Sequence, residues 1–439
     1  RRVFLSSDRC GFGPAGASAM VGAYSKERHT SMTNHPPKPG QPLSVLLLEN
    51  IHQTAVDVLH RDGLQPETLA KSLPPAQLRE RLRGVQVLGI RSKTHLSAEL
   101  LSCAPDLLAV GCFCIGTNQV DLHAANVRGI PVFNAPFSNT RSVAEMILGE
   151  IIALARQLGD RSREVHAKAW RKVSAGCHEV RGKTLGIVGY GHIGSQVGVL
   201  AESLGMRVLF YDIASKLALG NCRACDSLEE LLEQSDYVTL HVPATPQTHL
   251  LIGEAQLQRM RKGSYLLNAS RGTVVDIAAL CAALRSRHLA GAAIDVYPEE
   301  PEENTDGFIT ELAGLPNVIL TPHIGGSTEE AQANIGREVA ASLVKFLSQG
   351  ATTGAVNFPQ AELAVPRKTH RVLNVHRNVP GVLRDINRVV SDLNANIHGQ
   401  LLSTDNDIGY LIMDLDQDVS EQVCERLRDL ATSIRTRVV

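Results

Sequence analysis

Residues 184–194 read Thr-Leu-Gly-Ile-Val-Gly-Tyr-Gly-His-Ile-Gly, and this stretch decides the fold of the middle of the chain. An apolar run leads directly into the pattern Gly-x-Gly-x-x-Gly, whose glycines are Gly189, Gly191 and Gly194. In a dinucleotide-binding turn the first glycine permits the tight turn, the second admits a pyrophosphate to the backbone, and the third lets helix and strand pack closely. The helix that follows offers unpaired N–H groups and partial positive charge to the phosphates. The stretch therefore predicts a dinucleotide site.

A second apolar run, residues 207–211, ends at Asp212, about 20 residues after the glycines. At that distance an acid meets the ribose hydroxyls of the adenosine, and a carboxylate there repels the 2′-phosphate of NADP. The sequence therefore predicts NAD as the cofactor.

Composition narrows the class of protein. The chain has 439 residues, of which 44% are hydrophobic and 20% charged, which is typical of a globular protein of roughly three domains. The net charge of −1 gives no overall field that favours nucleic acid or acidic membranes, and no apolar run approaches a membrane span. The pairs Cys112-x-Cys114 and Cys222-x-x-Cys225 have no matching second pair, so we predict no metal site and reduced thiols in a cytoplasmic protein.

The order of apolar runs predicts an α/β protein with two Rossmann-like, doubly wound parallel sheets. Residues 1–42, rich in Gly, Ser and Pro, are predicted to be a flexible tail. Short apolar runs then alternate with helical stretches, as in βαβ units. The strands predicted in the first unit are 44–48, 86–90, 107–110 and 131–133, and those in the second are 184–188, 207–211, 237–241, 264–268, 292–295 and 318–321.

Two long amphipathic stretches, 142–158 and 329–347, are predicted to be helices that join these units. The first leads towards the glycine motif, and the second returns to pack on the first unit. The predicted domains are a discontinuous substrate-binding domain at 43–138 and 327–350, an NAD-binding domain at 139–326, a linker at 351–368 and a C-terminal domain at 369–439. The C-terminal domain has the order βαββαβ, which is the ferredoxin-like arrangement.

Three polar segments follow predicted strands of the second unit, at the edge where open α/β sheets bind ligands. They are 268–272, 295–301 and 321–326. Hydride transfer from a secondary alcohol needs an acid–base group for the hydroxyl proton, and His323 suits this task because its ordinary pKa lies near neutrality. Arg271 can hold a neighbouring carboxylate with its planar fork of donors. Glu300 against His323 would orient the ring and favour its protonated form.

Asn-Ala-Ser-Arg-Gly at 268–272, followed by these two segments, resembles the D-2-hydroxyacid dehydrogenase family over about residues 43–350. In that family such an Arg, Glu and His form the catalytic set. The segments 111–121, 134–142 and 323–328 sharpen the resemblance towards members that act on 3-phosphoglycerate. The C-terminal βαββαβ unit resembles the ACT domain, which binds amino acids in many biosynthetic enzymes.

The resemblance implies the remaining site residues. The implied NAD contacts, with the motif glycines, are His192, Ile193, Asp212, Ala269, Ser270, Arg271, Asp295, His323, Gly325 and Gly326. The implied substrate contacts are Arg91, Ser92, Lys93, Asn139 and Arg141, and the implied effector contacts are His376, Asn378 and Asn396.

The expected activity is NAD-dependent oxidation of 3-phosphoglycerate to 3-phosphohydroxypyruvate, the first step of serine biosynthesis. The resemblance further implies a homotetramer, feedback inhibition by serine across paired ACT domains, and a possible side reaction on 2-oxoglutarate. Two alternatives stay open. One is a glyoxylate or hydroxypyruvate reductase. The other is a non-catalytic NAD-sensing scaffold of the corepressor type, in which the same Arg, Glu and His occur.

Overall fold

The computed structural model describes residues 43–301, 305–364, 370–416 and 418–439, so the predicted N-terminal tail lies outside the described residues. Within these ranges three sheets form, two of them entirely parallel and the third antiparallel. No helix among these residues is both long and apolar enough to cross a bilayer. The predicted fold class is confirmed.

The first sheet has five parallel strands in the order β2-β1-β3-β4-β5. Its strands are β1 (Ser44–Leu47), β2 (Gln65–Thr68), β3 (Val87–Ile90), β4 (Ala109–Cys112) and β5 (Val132–Phe133). Its helices are α1 (Gln53–Arg61), α2 (Pro75–Arg81), α3 (Ala98–Ser102) and α4 (Leu122–Asn126). Strand β2 was not predicted, because its sequence Gln-Pro-Glu-Thr has no apolar run. It forms the edge of the sheet, where proline is tolerated.

The second sheet has seven parallel strands in the order β12-β11-β10-β9-β6-β7-β8. Its strands are β6 (Thr184–Val188), β7 (Arg207–Tyr211), β8 (Arg223–Ala224), β9 (Tyr237–Leu240), β10 (Ser264–Asn268), β11 (Leu289–Ile294) and β12 (Val318–Leu320). Its helices are α5 (Thr140–Arg156), α6 (Leu158–His166), α7 (His192–Ser203), α8 (Leu228–Gln234), α9 (Glu254–Arg259) and α10 (Ile277–Arg285), with a 3₁₀ turn at Gly272–Val274. All six predicted strands are present, and only the two-residue edge strand β8 was missed.

The third sheet is antiparallel with the order β14-β15-β13-β16. The elements are β13 (His370–Arg377), α12 (Val382–Asp392), β14 (Ile397–Thr404), β15 (Ile408–Leu415), α13 (Ser420–Arg428) and β16 (Ser433–Val438). This is the predicted βαββαβ order.

Two segments of chain cross between the first and second sheets, and they touch each other. Helix α11 (Glu329–Gln349) starts just after one crossing and packs along α1 and β4 of the first unit. The Ser142 hydroxyl at the start of α5 lies 2.8 Å from the Thr328 hydroxyl that caps α11. The catalytic segments of the second unit are therefore tied to the first unit beside the place where the chain crosses.

The segment predicted as a linker is packed against the first unit over its described residues 351–364. Val132 donates its N–H to the Asn357 side chain at 2.8 Å, and the Asn357 amide donates to the carbonyls of Leu122 and Ile130. The segment thereby lies alongside β5, with Thr352 fully buried. The Gly and Pro content indicated a break in regular structure correctly, but it could not show that the backbone would be satisfied by a side-chain amide.

The C-terminal unit shares a hydrophobic core with the first unit. Leu373, Val375 and Tyr410 of the third sheet belong to the same buried cluster as Val45 and Phe133. Arginines of the C-terminal unit also bind carbonyls in the last turn of α11, where a helix runs out of its own N–H donors.

Arg437 donates to the carbonyls of Phe346 at 2.6 Å and Leu347 at 3.1 Å, and Arg371 donates to that of Gln349 at 2.9 Å. Cations are favourable at this end of a helix. The far end of α11 is thus held by the C-terminal unit.

Candidate active site

The glycine turn has the geometry that a dinucleotide needs. Gly189 has a φ of 91°, and a Cβ there would lie 2.5 Å from the His241 carbonyl oxygen. A Cβ on Gly194 would lie 2.1 Å from the Gly189 carbonyl oxygen, so helix α7 approaches the turn closely. A Cβ on Gly191 would meet nothing within 4 Å, which leaves open space at the start of α7, where His192 and Ile193 lie. These residues fit a pyrophosphate at the helix N-terminus.

Asp212 lies beside this turn at the end of β7. Its carboxylate accepts N–H groups from Tyr190 at 2.8 Å and from Ala214 at 2.9 Å. Each carboxylate oxygen can accept a further hydrogen bond. The carboxylate is therefore fixed in place and still able to accept from ribose hydroxyls.

Arg271 is positioned by a buried amide at the end of β10. Asn268 is 1% exposed, accepts from the Ser270 N–H and hydroxyl, and donates to the Arg271 carbonyl at 3.0 Å. A Cβ on Gly272 would lie 1.9 Å from the Tyr297 carbonyl carbon, so this turn packs directly on the segment that follows β11. The Arg271 side chain itself is exposed.

Asp295 holds the loop that carries His323. This aspartate is 1% exposed, and its carboxylate accepts from the Thr321 hydroxyl at 2.6 Å and from the N–H groups of Ile324 and Gly325, each at 2.8 Å. The His323 N–H donates to the Asp295 carbonyl at 2.8 Å, and His323 has a φ of 54°, in the left-handed region. The structure thus gives Asp295 a supporting role that the sequence did not predict; its contact with the cofactor stays a prediction.

His323 and Glu300 form the pair that the sequence predicted. The His323 Nδ1 atom lies 2.7 Å from Glu300 Oε2, so Nε2 is the nitrogen presented to a substrate. The hydrogen bond to Glu300 raises the pKa of His323, against the effect of burial. Burial would raise the pKa of Glu300, but the bonds from His323 and from the Tyr297 N–H lower it. The charge of Arg271 lowers the pKa of both groups, and its share in a common site with them stays a prediction.

Two residues in contact with the nucleotide turn were not predicted from the sequence. His241 follows β9, bonds the Val188 carbonyl through its N–H, and has its pKa lowered to about 3 by burial, so its ring is neutral. Phe137, from the first unit, lies with its ring centroid 3.8 Å from that of His192. The end of β9 was predicted one residue too late, at His241 itself, and the rule that ligands bind where parallel strands end could have indicated this residue. No sequence signal pointed to Phe137.

The predicted substrate residues are only partly together. Arg91, Ser92 and Lys93 share the loop after β3. The Asn139 side chain covers Gly326, where a Cβ would lie 2.3 Å from its amide nitrogen. Arg141 is exposed and paired with Glu145 at 2.5 Å on α5. The grouping of all five around one substrate stays a prediction.

The predicted effector residues lie at opposite ends of the third sheet within one chain. His376 pairs in register with Gly409, and Asn378 donates to the Asp405 carbonyl at 2.6 Å. Asn396 instead donates to Asp416 at 3.0 Å, at the other end of β15. Strands of this length separate the two ends by about 20 Å.

The geometry describes a dehydrogenase of 2-hydroxy acids, and comparisons with known proteins agree. The family model for the D-isomer specific 2-hydroxyacid dehydrogenase NAD binding domain matches residues 148–325, and that for the AHAS small subunit-like ACT domain matches residues 373–435. A solved D-lactate dehydrogenase from Aquifex aeolicus, complexed with NAD and lactic acid, superposes with a TM-score of 0.61 at 28% identity, covering 72% of this chain and 100% of that one. D-2-hydroxyisocaproate dehydrogenase gives a TM-score of 0.63 at 27% identity, covering 71% and 99%.

Curated relatives narrow the identification. D-3-phosphoglycerate dehydrogenase of Dictyostelium discoideum is 57% identical over 91% of this chain and 98% of its own length. The protein of the same name from Escherichia coli K12 is 50% identical over 90% of this chain and 97% of its own. The chain belongs to the D-3-phosphoglycerate dehydrogenase family, within the D-isomer specific 2-hydroxyacid dehydrogenases. It is an NAD-dependent oxidoreductase with a C-terminal ACT domain, as predicted.

Proposed function

We propose that this protein oxidises 3-phosphoglycerate to 3-phosphohydroxypyruvate with NAD. The observation that carries the proposal is the His323–Glu300 pair beside Arg271, together with a separate loop that presents Arg91 and Lys93. The substrate has a carboxylate on one side of the reacting carbon C2 and, on the other side, carbon C3, which carries the phosphate. One cation near His323 and a cationic loop in the other unit match these two anions. The names of the relatives support the same substrate.

Each residue of the site has a separate role in the proposed reaction. The glycine turn and Asp212 would hold NAD, which would supply the acceptor for the hydride that leaves C2 of the substrate. His323 Nε2 takes the hydroxyl proton, since Nδ1 is occupied by Glu300. The guanidinium of Arg271 holds the carboxylate and polarises the C2 oxygen. Glu300 stabilises the imidazolium that forms.

The experiment that tests this function follows NADH consumption with four oxo acids: 3-phosphohydroxypyruvate, hydroxypyruvate, glyoxylate and 2-oxoglutarate. We expect kcat/KM to be highest for the phosphorylated substrate, with 2-oxoglutarate reduced more slowly. A higher kcat/KM for glyoxylate or hydroxypyruvate would favour the reductase alternative. NADH binding without turnover of any of the four would favour the scaffold alternative.

Cofactor preference is expected to depend on Asp212. Replacement of Asp212 by Ala or Ser removes the carboxylate that excludes a 2′-phosphate, so the ratio of kcat/KM with NADH to that with NADPH should fall. The expected fall is at least about tenfold, the usual size of one charge-assisted interaction. An unchanged ratio would mean that Asp212 does not lie at the ribose.

We also propose that serine inhibits the enzyme by binding between two ACT domains. Strand β14 is the outer edge of the third sheet, and several of its residues are exposed. If β14 pairs antiparallel with the β14 of a second copy, the Asn396 of that copy comes to the Thr404 end, which is the end of His376 and Asn378. The start of α12 at Gly381, which has no side-chain cap, is then available to the serine carboxylate.

Asn378→Ala and Asn396→Ala should each raise the serine concentration for half-inhibition by about tenfold, because each removes a polar contact to the ligand. Turnover without serine should stay close to that of the unmodified protein. His376 is 3% exposed with its ring against Gly409, so we expect it to support the site from behind. An intact enzyme that ignores millimolar serine would show that the ACT domain has another ligand or none.

A homotetramer follows from the same proposal if the nucleotide-binding units pair separately. Apolar side chains are exposed on one face of α5, α6 and the loop after them, with Trp170 85% exposed. A cavity of about 540 Å³ beside them is lined by Ile152, Ala155 and Leu204. We propose that this face contacts a second copy, and sedimentation of the intact protein should show a particle of four chains.

The free cysteines among the described residues support a cytoplasmic location.

A further inference from the structure

A buried carboxylate lies beneath the loop that presents Arg91 and Lys93. It belongs to Glu49, which follows β1 and is 7% exposed. Glu49 and its neighbour Asn50 both have left-handed backbones, with φ of 65° and 51°. Two consecutive residues other than glycine in this region are unfavourable, so the surrounding structure must hold them.

Among the described residues, the Glu49 carboxylate is bonded only to the backbone of that loop. It accepts N–H groups from Arg91 at 3.2 Å, Lys93 at 3.0 Å and Thr94 at 2.8 Å. Successive N–H groups that converge in this way form a cradle for an anion. Here the cradle is filled from within by the protein's own carboxylate. The N–H groups of Arg91, Lys93 and Thr94 are therefore not available to a substrate phosphate, which is left to the side chains of the loop and to the Ser92 N–H, which Glu49 does not bind.

The opposite side of the loop is held by a second buried side chain. Gln119 is 5% exposed, and its amide donates to the Arg91 carbonyl at 2.7 Å. The backbone after this loop is also bonded to the backbone at Gln119, because the Leu96 N–H donates to the Gln119 carbonyl at 2.8 Å. Arg91 is thus fixed through its N–H by Glu49, which follows β1, and through its carbonyl by Gln119, which precedes α4.

We propose that Glu49 is a positioning residue that fixes the spacing of Arg91 and Lys93 and so determines the preference for a phosphorylated substrate. Long cationic side chains select a phosphate only if their backbones hold a constant separation, because each side chain is flexible by itself. Glu49 provides that separation with three charge-assisted hydrogen bonds to a single carboxylate. The inference rests on the proposed function and adds the element that sets its substrate class.

The test compares Glu49→Gln with the unmodified protein on 3-phosphohydroxypyruvate and hydroxypyruvate. The amide has the shape of the carboxylate, but its NH₂ group cannot accept, so at least one of the three bonds and the charge are lost. We expect the KM for the phosphorylated substrate to rise about tenfold. For hydroxypyruvate, both kcat and KM should stay within about twofold of the values for the unmodified protein, because Arg271 and His323 are unchanged. Glu99→Gln, an exposed carboxylate of the same unit, is the matched control and should change neither.

A second variant keeps the inference testable if Glu49→Gln does not fold. Gln119→Met removes the bond to the Arg91 carbonyl with little change in volume, and it should raise the same KM selectively. In addition, formate added to a folded Glu49→Ala protein should refill the cradle and lower that KM again.

An equal rise in KM for both substrates would overturn the inference, because it would mean that Glu49 only supports the fold. If the unmodified protein itself shows no preference for the phosphorylated substrate, the proposed function fails first and independently of any variant.

Discussion

Replacing His323 with alanine is expected to lower kcat by roughly 10²–10⁴-fold, which is the usual contribution of a positioned acid–base group. The Nε2 atom is the proton acceptor in the proposed reaction, and the loop that carries it is fixed by Asp295 independently of the imidazole. NADH affinity should therefore survive the substitution. The measurement is steady-state reduction of 3-phosphohydroxypyruvate alongside a fluorescence titration with NADH. Near-normal turnover in the variant would remove His323 from the mechanism.

Glu300→Gln serves as the comparison for this variant, because it keeps the ring in place and changes only its electrostatics. Glu300 raises the pKa of His323, so the imidazolium persists to higher pH in the unmodified protein. Reduction needs the protonated ring and is lost as pH rises through that raised pKa. With Gln at position 300 this loss should begin at lower pH, since the stabilising charge is gone. An unchanged pH profile would contradict the pairing.

Glu150→Gln is expected to stabilise the protein increasingly as pH rises from about 4.5 to about 8. Glu150 lies on α5, is 7% exposed, and its Oε1 atom has no hydrogen-bond partner in the part of the chain that the structure describes. Burial, and after it the charge of Asp295, raises the pKa of this carboxyl to about 8. From the ordinary value of 4.5, such a rise corresponds to about 5 kcal/mol.

The sign follows from which state binds the proton. A pKa that is raised in the folded state stabilises the protein fully below the unfolded value, and this stabilisation is lost as pH rises through the folded value. Glutamine stays neutral over this whole pH range, so the variant does not lose this stabilisation as pH rises. Denaturant or thermal unfolding at several pH values measures the difference, with Glu145→Gln, exposed on the same helix, as the control. Parallel stability curves for the variant and the unmodified protein would contradict the expectation.

The catalytic segments could be predicted from sequence because their spacing and strand positions are local. Gly-x-Gly-x-x-Gly, the Arg271 turn and the His323 loop each follow an apolar run that marks a strand end. What could not be predicted is which buried groups hold them. Asp295 and Glu49 make their bonds to backbone N–H groups, and residue type carries no sign of such a partner. The edge strand β2 and the packing of the segment after α11 were not predicted for a related reason. Neither has the apolar periodicity on which the prediction of strands and helices depends.

The core that the ACT domain shares with the first unit affects how this protein could lose its regulation. Where a regulatory domain is tethered by a free linker, deletion of the domain leaves a clean catalytic remainder. Here, deletion would uncover Phe358, whose ring packs on that of Tyr410, and release the last turn of α11, whose carbonyls are bonded by Arg437. A chain without the ACT domain should therefore aggregate, and it would not yield an active enzyme that merely fails to respond to the effector. Variants insensitive to an effector are expected to arise by single substitutions along the outer edge of the third sheet, in chains of full length.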